Sequence, residues 1–263
     1  MAGERSVVDE ARITELTTVV TGVASTRGIG RGVARVLAGE GRPLALLDRD
    51  TDGLEEAAEQ ARAAGASLVV TAQADIADPA SVDTAITDVE SAAPPVAALV
   101  NCAGIADPTP FLEMTSASFQ RTLTINTTGL FHLAQRVLPG MLEQGLGRIV
   151  AVGSTAAQDG GGNFSTSAYA ASKAGVEGLL RGLAKETAGT GVTTAAIAPA
   201  NIDTDIMGGP LVGERREQFV ARTPVGRLGT VEELAALVSW LVGPYGGFTT
   251  GATYSLNGGM RVG

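Results

Sequence analysis

The chain has 263 residues, 44% of them hydrophobic and 18% charged, with 28 Asp and Glu against 19 Lys and Arg and a net charge of −9. That composition supports a large core and excludes a disordered chain. The acidity disfavours a nucleic-acid or anionic-membrane surface, so a phosphate ligand has to be met locally by backbone N–H groups. One cysteine, Cys102, excludes an intrachain disulfide, and one histidine, His132, excludes a histidine-cluster metal site.

Residues 1–16 read as a loose polar extension without the apolar run of a secretory signal, and residues 17–263 as a single domain. No stretch approaches the ~20 apolar residues that span a bilayer, so a cytoplasmic protein without membrane partners is expected.

Along the domain, short apolar runs alternate with longer helical stretches. The first run, TTVV (17–20), leads into TGVASTRGIG (21–30). The glycines do not fit G-x-G-x-x-G. Gly22 nevertheless lets the chain leave the strand, and Gly28 and Gly30 open a helix whose positive N-terminus suits a phosphate. The second run, PLALL (43–47), ends at Asp48, 18 residues after Gly30. A carboxylate there accepts hydrogen bonds from an adenosine ribose and repels a 2′-phosphate, which favours NAD(H) over NADP(H). Arg27 and Arg49 argue for the phosphorylated cofactor. Asp48 also reads as a turn or N-cap residue.

A helix from Thr51 to a C-cap at Gly65 follows, its apolar residues at three- and four-residue steps. The runs SLVVTA (67–72), VAALVN (96–101), RIVAV (148–152), VTTAAIA (192–198) and ATYSL (252–256) complete a set of seven. Each is nearly continuous in apolar character, as strands buried on both faces are. The fold class that results is α/β: a doubly wound, Rossmann-type parallel sheet with helices on both faces.

Chemistry-bearing residues stand at the strand ends and after them. VAALVN closes with Asn101 and a small Ala103-Gly104 turn, and Ser154 lies just past RIVAV. Asn126 is a polar amide in an apolar stretch and needs a partner. In SAYAASKAG (167–175), Tyr169 and Lys173 share one face of a helix, where the ammonium is expected to lower the phenol pKa and make an acid/base pair. His132, in GLFHLAQ, reads as a buried, hydrogen-bonded structural histidine. MGGPLVGE (207–214) reads either as a mobile lid or as an ordinary loop.

The combination resembles the short-chain dehydrogenase/reductase family, of the type that includes 3-oxoacyl carrier-protein reductases. The motifs carrying the resemblance are TG…GIG, Asp75-Ile76, NCAG (101–104), Asn126, Ser154, Tyr169-x-x-x-Lys173, APANIDT (198–204), GRLGTVEELA (226–235) and TGATYSLNGG (250–259). It implies an NAD(P)(H)-dependent oxidoreductase acting on a small carbonyl or alcohol, with the cofactor supplying the hydride, no metal, and a homotetramer built as a dimer of dimers. Tyr169 would be the general acid/base, Lys173 would tune it and hold the nicotinamide ribose, Ser154 would position the substrate oxygen, and Asn126 would hold a relay water.

The resemblance also implies that Gly22, Ser25, Thr26, Arg27, Gly28, Ile29 and Gly30 form the pyrophosphate turn. Asp75 and Ile76 would flank the adenine; Asn101, Ala103 and Gly104 would line the middle of the cofactor; Pro199, Ile202 and Thr204 would hold the nicotinamide. The chain departs from the family pattern in a longer glycine turn, in Cys102 for a second Asn, in Ala200 for Gly, and in a 15-residue separation of Ser154 and Tyr169. A second reading, an idle nucleotide-sensing protein, would keep the fold without turnover.

Overall fold

A computed structural model describes residues 10–162, 166–206 and 208–262. All seven expected strands form: β1 (Thr17–Thr21), β2 (Pro43–Asp48), β3 (Leu68–Gln73), β4 (Val96–Asn101), β5 (Gly147–Val152), β6 (Val192–Pro199) and β7 (Ala252–Leu256). They pair in parallel in the order β3-β2-β1-β4-β5-β6-β7.

Alternation along the strands explains their continuous apolar character. On one face, Val19, Leu47, Leu99 and Ile149 pack with three helices: α3 (Pro79–Ala92), α5 (Gly129–Gln144) and α6 (Ser167–Glu186). On the other, Val20, Leu46, Val100 and Ile197 pack with α1 (Ile29–Gly39), α2 (Thr51–Ala64) and α8 (Val231–Leu241). These side chains are buried on both faces, and each fully buried Leu, Ile or Val contributes about 1.5–3 kcal/mol. The outer strands depart from the expectation: β3 and β7 are mostly half-buried, because an edge strand has a neighbour on one side only.

Helix ends follow local chemistry. Asp50 caps α2 through Asp52 N and Gly53 N, and Gly65 closes it at φ 110°. The N-cap is therefore Asp50, not Asp48. Thr230 and Glu233 form a reciprocal capping box on α8.

The extension differs from its expected looseness over its last residues. Ala11–Glu15 is a 3₁₀ turn with Ile13 fully buried beside Ala97 and Leu146. Glu10 pairs with the buried Arg148 guanidinium. Residues 1–9 lie outside the described residues. The segment 207–214 is anchored at Leu211, which is 2% exposed, and runs at its end into α7 (Gly213–Arg222); Met207 lies outside the described residues.

The chain order reverses between β1 and β4, and their C-terminal ends open a crevice, the usual ligand position in such sheets. A Cβ on Gly22 would stand 2.7 Å from Ala103 N, so the two loops that flank the crevice touch backbone to backbone. Thr21 braces them, donating to Asn101 Oδ1 at 2.6 Å and accepting from Ala103 N at 3.3 Å.

Candidate active site

Two cavities meet above the crevice. The first, about 570 Å³, is lined by Gly22, Ser25, Gly28, Asp48, Arg49, Asp75 and Ile76 at one end and by Ala103, Gly104 and Thr204 at the other. The second, about 210 Å³, is lined by Ser154, Tyr169, Lys173, Pro199 and Ile202. Ile29, Cys102, Gly104, Ala106, Thr204 and Ile206 line both, so the two are one cleft.

The glycine turn is held from below. Gly22 has φ 71°, a conformation that penalises any side chain. A Cβ on Gly30 would run into the Gly22 carbonyl, so the start of α1 lies directly on the turn. The two extra residues are secured by two groups. Asp48 accepts from Ala24 N at 2.9 Å and from Asp50 N at 3.2 Å. Arg31, 4% exposed, donates to the carbonyls of Val23 (2.8 Å), Ala24 (2.6 Å) and Gly53 (2.8 Å). Arg31 escapes a sequence reading, because its one signal is a charge on the buried side of α1.

Not every expected cofactor residue reaches the cleft. Asn101 is 3% exposed and acts through Thr21, beneath the floor. Gly30 is buried under the turn, and Thr26 is exposed outside it; neither lines the cavities. Arg27 turns away, pairing with Asp203 at 2.6 Å and Asp205 at 3.1 Å. Its guanidinium finds one carboxylate 176 positions along the chain and a second two residues further on, which no local reading anticipates.

Tyr169 and Lys173 do share one face of α6, both under 10% exposed, with the Lys173 Nζ 5.7 Å from the ring centroid. The ammonium donates to Val152 O at 2.7 Å. Ser154 hydrogen-bonds the Tyr169 side chain. The expected electrostatics are not reproduced. Burial pushes the Tyr169 phenol above its ordinary value of 10, and what opposes this is the Ser154 hydrogen bond, not Lys173. Burial also brings Lys173 down to about 8, with Cys102 opposing. Desolvation therefore outweighs charge pairing, and Tyr169 stands as a protonated phenol.

Asn126 finds its partners by an unexpected route. The chain forms a π turn, Thr124–Thr128, between α4 (Ser116–Leu123) and α5. Such single turns insert one residue into a helix and are frequent at functional sites. Asn126 accepts from Ile105 N at 2.8 Å and donates to Ile105 O and to Ser172 Oγ, both at 2.9 Å. Ser172 in turn donates to Tyr169 O at 2.7 Å. The amide clamps the loop after β4 to the tyrosine helix and lines neither cavity.

The remaining departures are accommodated. Burial raises the Cys102 thiol to about 12, with Lys173 opposing, so at neutral pH it is a packed thiol and not a nucleophile. Among the described residues no non-glycine has a positive φ, so Ala200 sits outside the left-handed region that would penalise its side chain. His132 is half-buried where full burial was expected, and its Nδ1 lies 3.0 Å from Ile76 O. Gly161 and Gly162, in the longer loop, line the second cavity together with Phe219 and Arg222 of α7 and with Met260. Asn163–Ser165 of that loop lie outside the described residues.

The family model described as enoyl-(acyl carrier protein) reductase matches residues 22–261. The NAD(+)-dependent 2-dehydro-3-deoxy-L-rhamnonate dehydrogenase of a Sphingomonas species is 40% identical over 245 residues, covering 93% of this chain and 94% of that protein. The 3-oxoacyl-(acyl-carrier-protein) reductase of Escherichia coli is 32% identical over 244 residues, covering 93% and 96%. A solved dehydrogenase/reductase from Sinorhizobium meliloti superposes with a TM-score of 0.84 at 32% identity, covering 95% of this chain and 99% of that one.

Proposed function

The chain belongs to the short-chain dehydrogenase/reductase family, and on that premise we propose that Tyr169 is the general acid/base, supported by Lys173, Ser154 and Asn126. The reaction class is the family's: interconversion of a carbonyl and a secondary alcohol with a nicotinamide cofactor. The observation that carries the assignment of roles is the single cleft. The cavity over the glycine turn shares six lining residues with the cavity that holds the buried tyrosine, which supports a cofactor and a substrate meeting there.

The residues present fit such a cofactor. A cavity of about 570 Å³ lies in the range of ordinary ligand sites, and Gly22 and Gly28 let backbone N–H groups approach a pyrophosphate. Asp48 would take the adenosine ribose, Asp75 and Ile76 the adenine, and Ala103, Gly104, Pro199, Ile202 and Thr204 the nicotinamide half. When bound, the dinucleotide supplies or accepts the hydride.

The protein's part is proton transfer and orientation. In reduction, Tyr169 gives its phenolic proton to the nascent alkoxide while the Ser154 hydroxyl holds the same oxygen; in oxidation the proton returns. Lys173, fixed on Val152 O, keeps a cation beside the phenol and resists its departure from the face of α6. Asn126 keeps the tyrosine helix in register with the loop after β4. Tyr169 and Lys173 are buried except where they line the second cavity, so the proton is exchanged from that side.

NAD(H) is the preferred cofactor in this reading: Asp48 lines the cavity, Arg27 is occupied elsewhere, and a relative at 40% identity is named for NAD(+). The substrate is a small polar ketone or alcohol, since the second cavity is about 210 Å³ and carries Asp159 and Arg222. The protein acts in the cytoplasm as a homotetramer; Phe131 and Leu142 on α5 and Trp240 and Phe248 near the C-terminus remain exposed, as surfaces that copies cover do.

A screen at 340 nm tests the reading, with NADH and NADPH against sugar-acid ketones, simple ketones and 3-oxoacyl thioesters, and NAD against alcohols. NADH-dependent turnover of a small ketone is expected. Bound cofactor without turnover on any substrate would revive the sensor reading.

A further inference from the structure

Arg27 stands between Ser25 and Gly28, both of which line the first cavity, yet its own side chain does not line it. It reaches instead to the loop after β6. Nη2 lies 2.6 Å from Asp203 Oδ1, and Nε lies 3.1 Å from Asp205 Oδ1. The second Asp203 oxygen is taken by Arg216 of α7 at 3.0 Å. Two carboxylates and two guanidinium groups thus form a chain across three segments, with no net charge. Asp205 lines the cavity beside Thr204 and Ile206, so this chain crosses at the rim of the cleft.

A guanidinium on the phosphate turn is the group that would recognise a 2′-phosphate, because its planar donors match the phosphate oxygens. Here it is already paired with carboxylates. A 2′-phosphate would have to strip Arg27 from both Asp203 and Asp205. It would also face Asp48, which lines the same cavity, so like charges accumulate at that end, with Arg49 beside Asp48 as the guanidinium left to meet them.

We propose that Asp203 and Asp205 are cofactor-specificity residues, which exclude NADP(H) by holding Arg27 away from the ribose end of the cleft. The proposal rests on the nicotinamide-cofactor reading above and extends it to two residues distant from the ribose-binding Asp48. The ion pairs are about one-third exposed on the carboxylate side and 43% on the Arg27 side. Pairs of that kind are individually weak and replaceable, so the preference is a property that two substitutions reverse.

The test measures binding, not turnover. Dissociation constants for NADH and NADPH are read by fluorescence for the wild type, Asp203→Asn/Asp205→Asn, and that double variant carrying Arg27→Ala. The double variant is expected to bind NADPH about tenfold more tightly than the wild type, the value of one charge-assisted phosphate contact, with NADH changed less than about threefold. Adding Arg27→Ala is expected to erase the gain. Asp205→Asn alone, whose carboxylate has Arg27 as its ion-pair partner among the described residues, is expected to give a smaller gain of about threefold, and it serves if the double variant melts early.

An unchanged NADPH affinity in both Asn variants would overturn the proposal while leaving NADH binding intact. So would a gain that survives Arg27→Ala, since it would report general loss of negative charge. A wild type that binds neither dinucleotide would overturn the cofactor reading and this inference together.

Discussion

The two ends of the cleft are built by different means. The dinucleotide end is mostly backbone: Gly22 at a positive φ, the Gly22–Ala103 approach, and the start of α1 under the turn. The chemical end is mostly side chains on one rigid helix, with Tyr169, Ser172 and Lys173 tied to Ser154, Asn126 and Val152. A backbone site tolerates exchange of exposed side chains and fails when a glycine changes. A side-chain site fails atom by atom. Substitutions at the two ends should therefore separate binding from turnover.

The largest effect is expected at the chemical end. Tyr169→Phe removes one hydroxyl and is expected to lower kcat by about 10²–10⁴-fold, with the NADH dissociation constant changed less than about threefold. Steady-state kinetics alongside fluorescence titration checks it, and near-normal turnover would remove Tyr169 from the mechanism.

At the other end, Gly22→Ala places a Cβ 2.7 Å from Ala103 N at φ 71°. Strain of about 1–3 kcal/mol is expected, read as a lower melting temperature and roughly tenfold weaker NADH binding. Arg31→Met should act in the same direction more gently. It frees the carbonyls of Val23 and Ala24, and a loss of about 1–3 kcal/mol of stability is expected, with a few-fold weaker NADH binding. A fall in kcat at saturating cofactor in either variant would blur the division.

The smallest effect is a matter of sign. The folded value of Lys173, about 8, lies below its ordinary 10.5. Between those values the unfolded chain binds more protons than the folded one, so this group's contribution to stability rises with pH and is least below about pH 8. Against Lys173→Met, the wild type should gain on the order of 2 kcal/mol between about pH 7 and pH 10, measured by denaturant unfolding. An opposite trend would mean that the ammonium is not desolvated.

How much of this was legible in the sequence follows the same division. All seven strands were readable because burial on both faces writes apolar residues at consecutive positions. Tyr169 and Lys173 were readable because four residues are one helical turn. What was hidden depends on partners distant along the chain. Arg27 looked like a phosphate ligand until Asp203 and Asp205 arrived from the loop after β6. Asn101 looked like a wall residue, but its amide is spent on Thr21. Asn126 needed a partner, and the π turn that aims it at Ile105 and Ser172 has no composition signal. The pKa expectation for Tyr169 failed for a related reason: charge proximity can be read from spacing, whereas desolvation is set by everything packed around the pair.

The central claim is that one dinucleotide runs the length of the cleft, from Asp48 to Tyr169. A crystal structure of the protein soaked with NADH tests it most directly. The account predicts the adenosine ribose on the Asp48 carboxylate, the pyrophosphate against the turn at residues 22–30, and the nicotinamide ring beside Tyr169 and Thr204. A pyrophosphate without contact to residues 25–30, or a nicotinamide ring away from Tyr169, would contradict it.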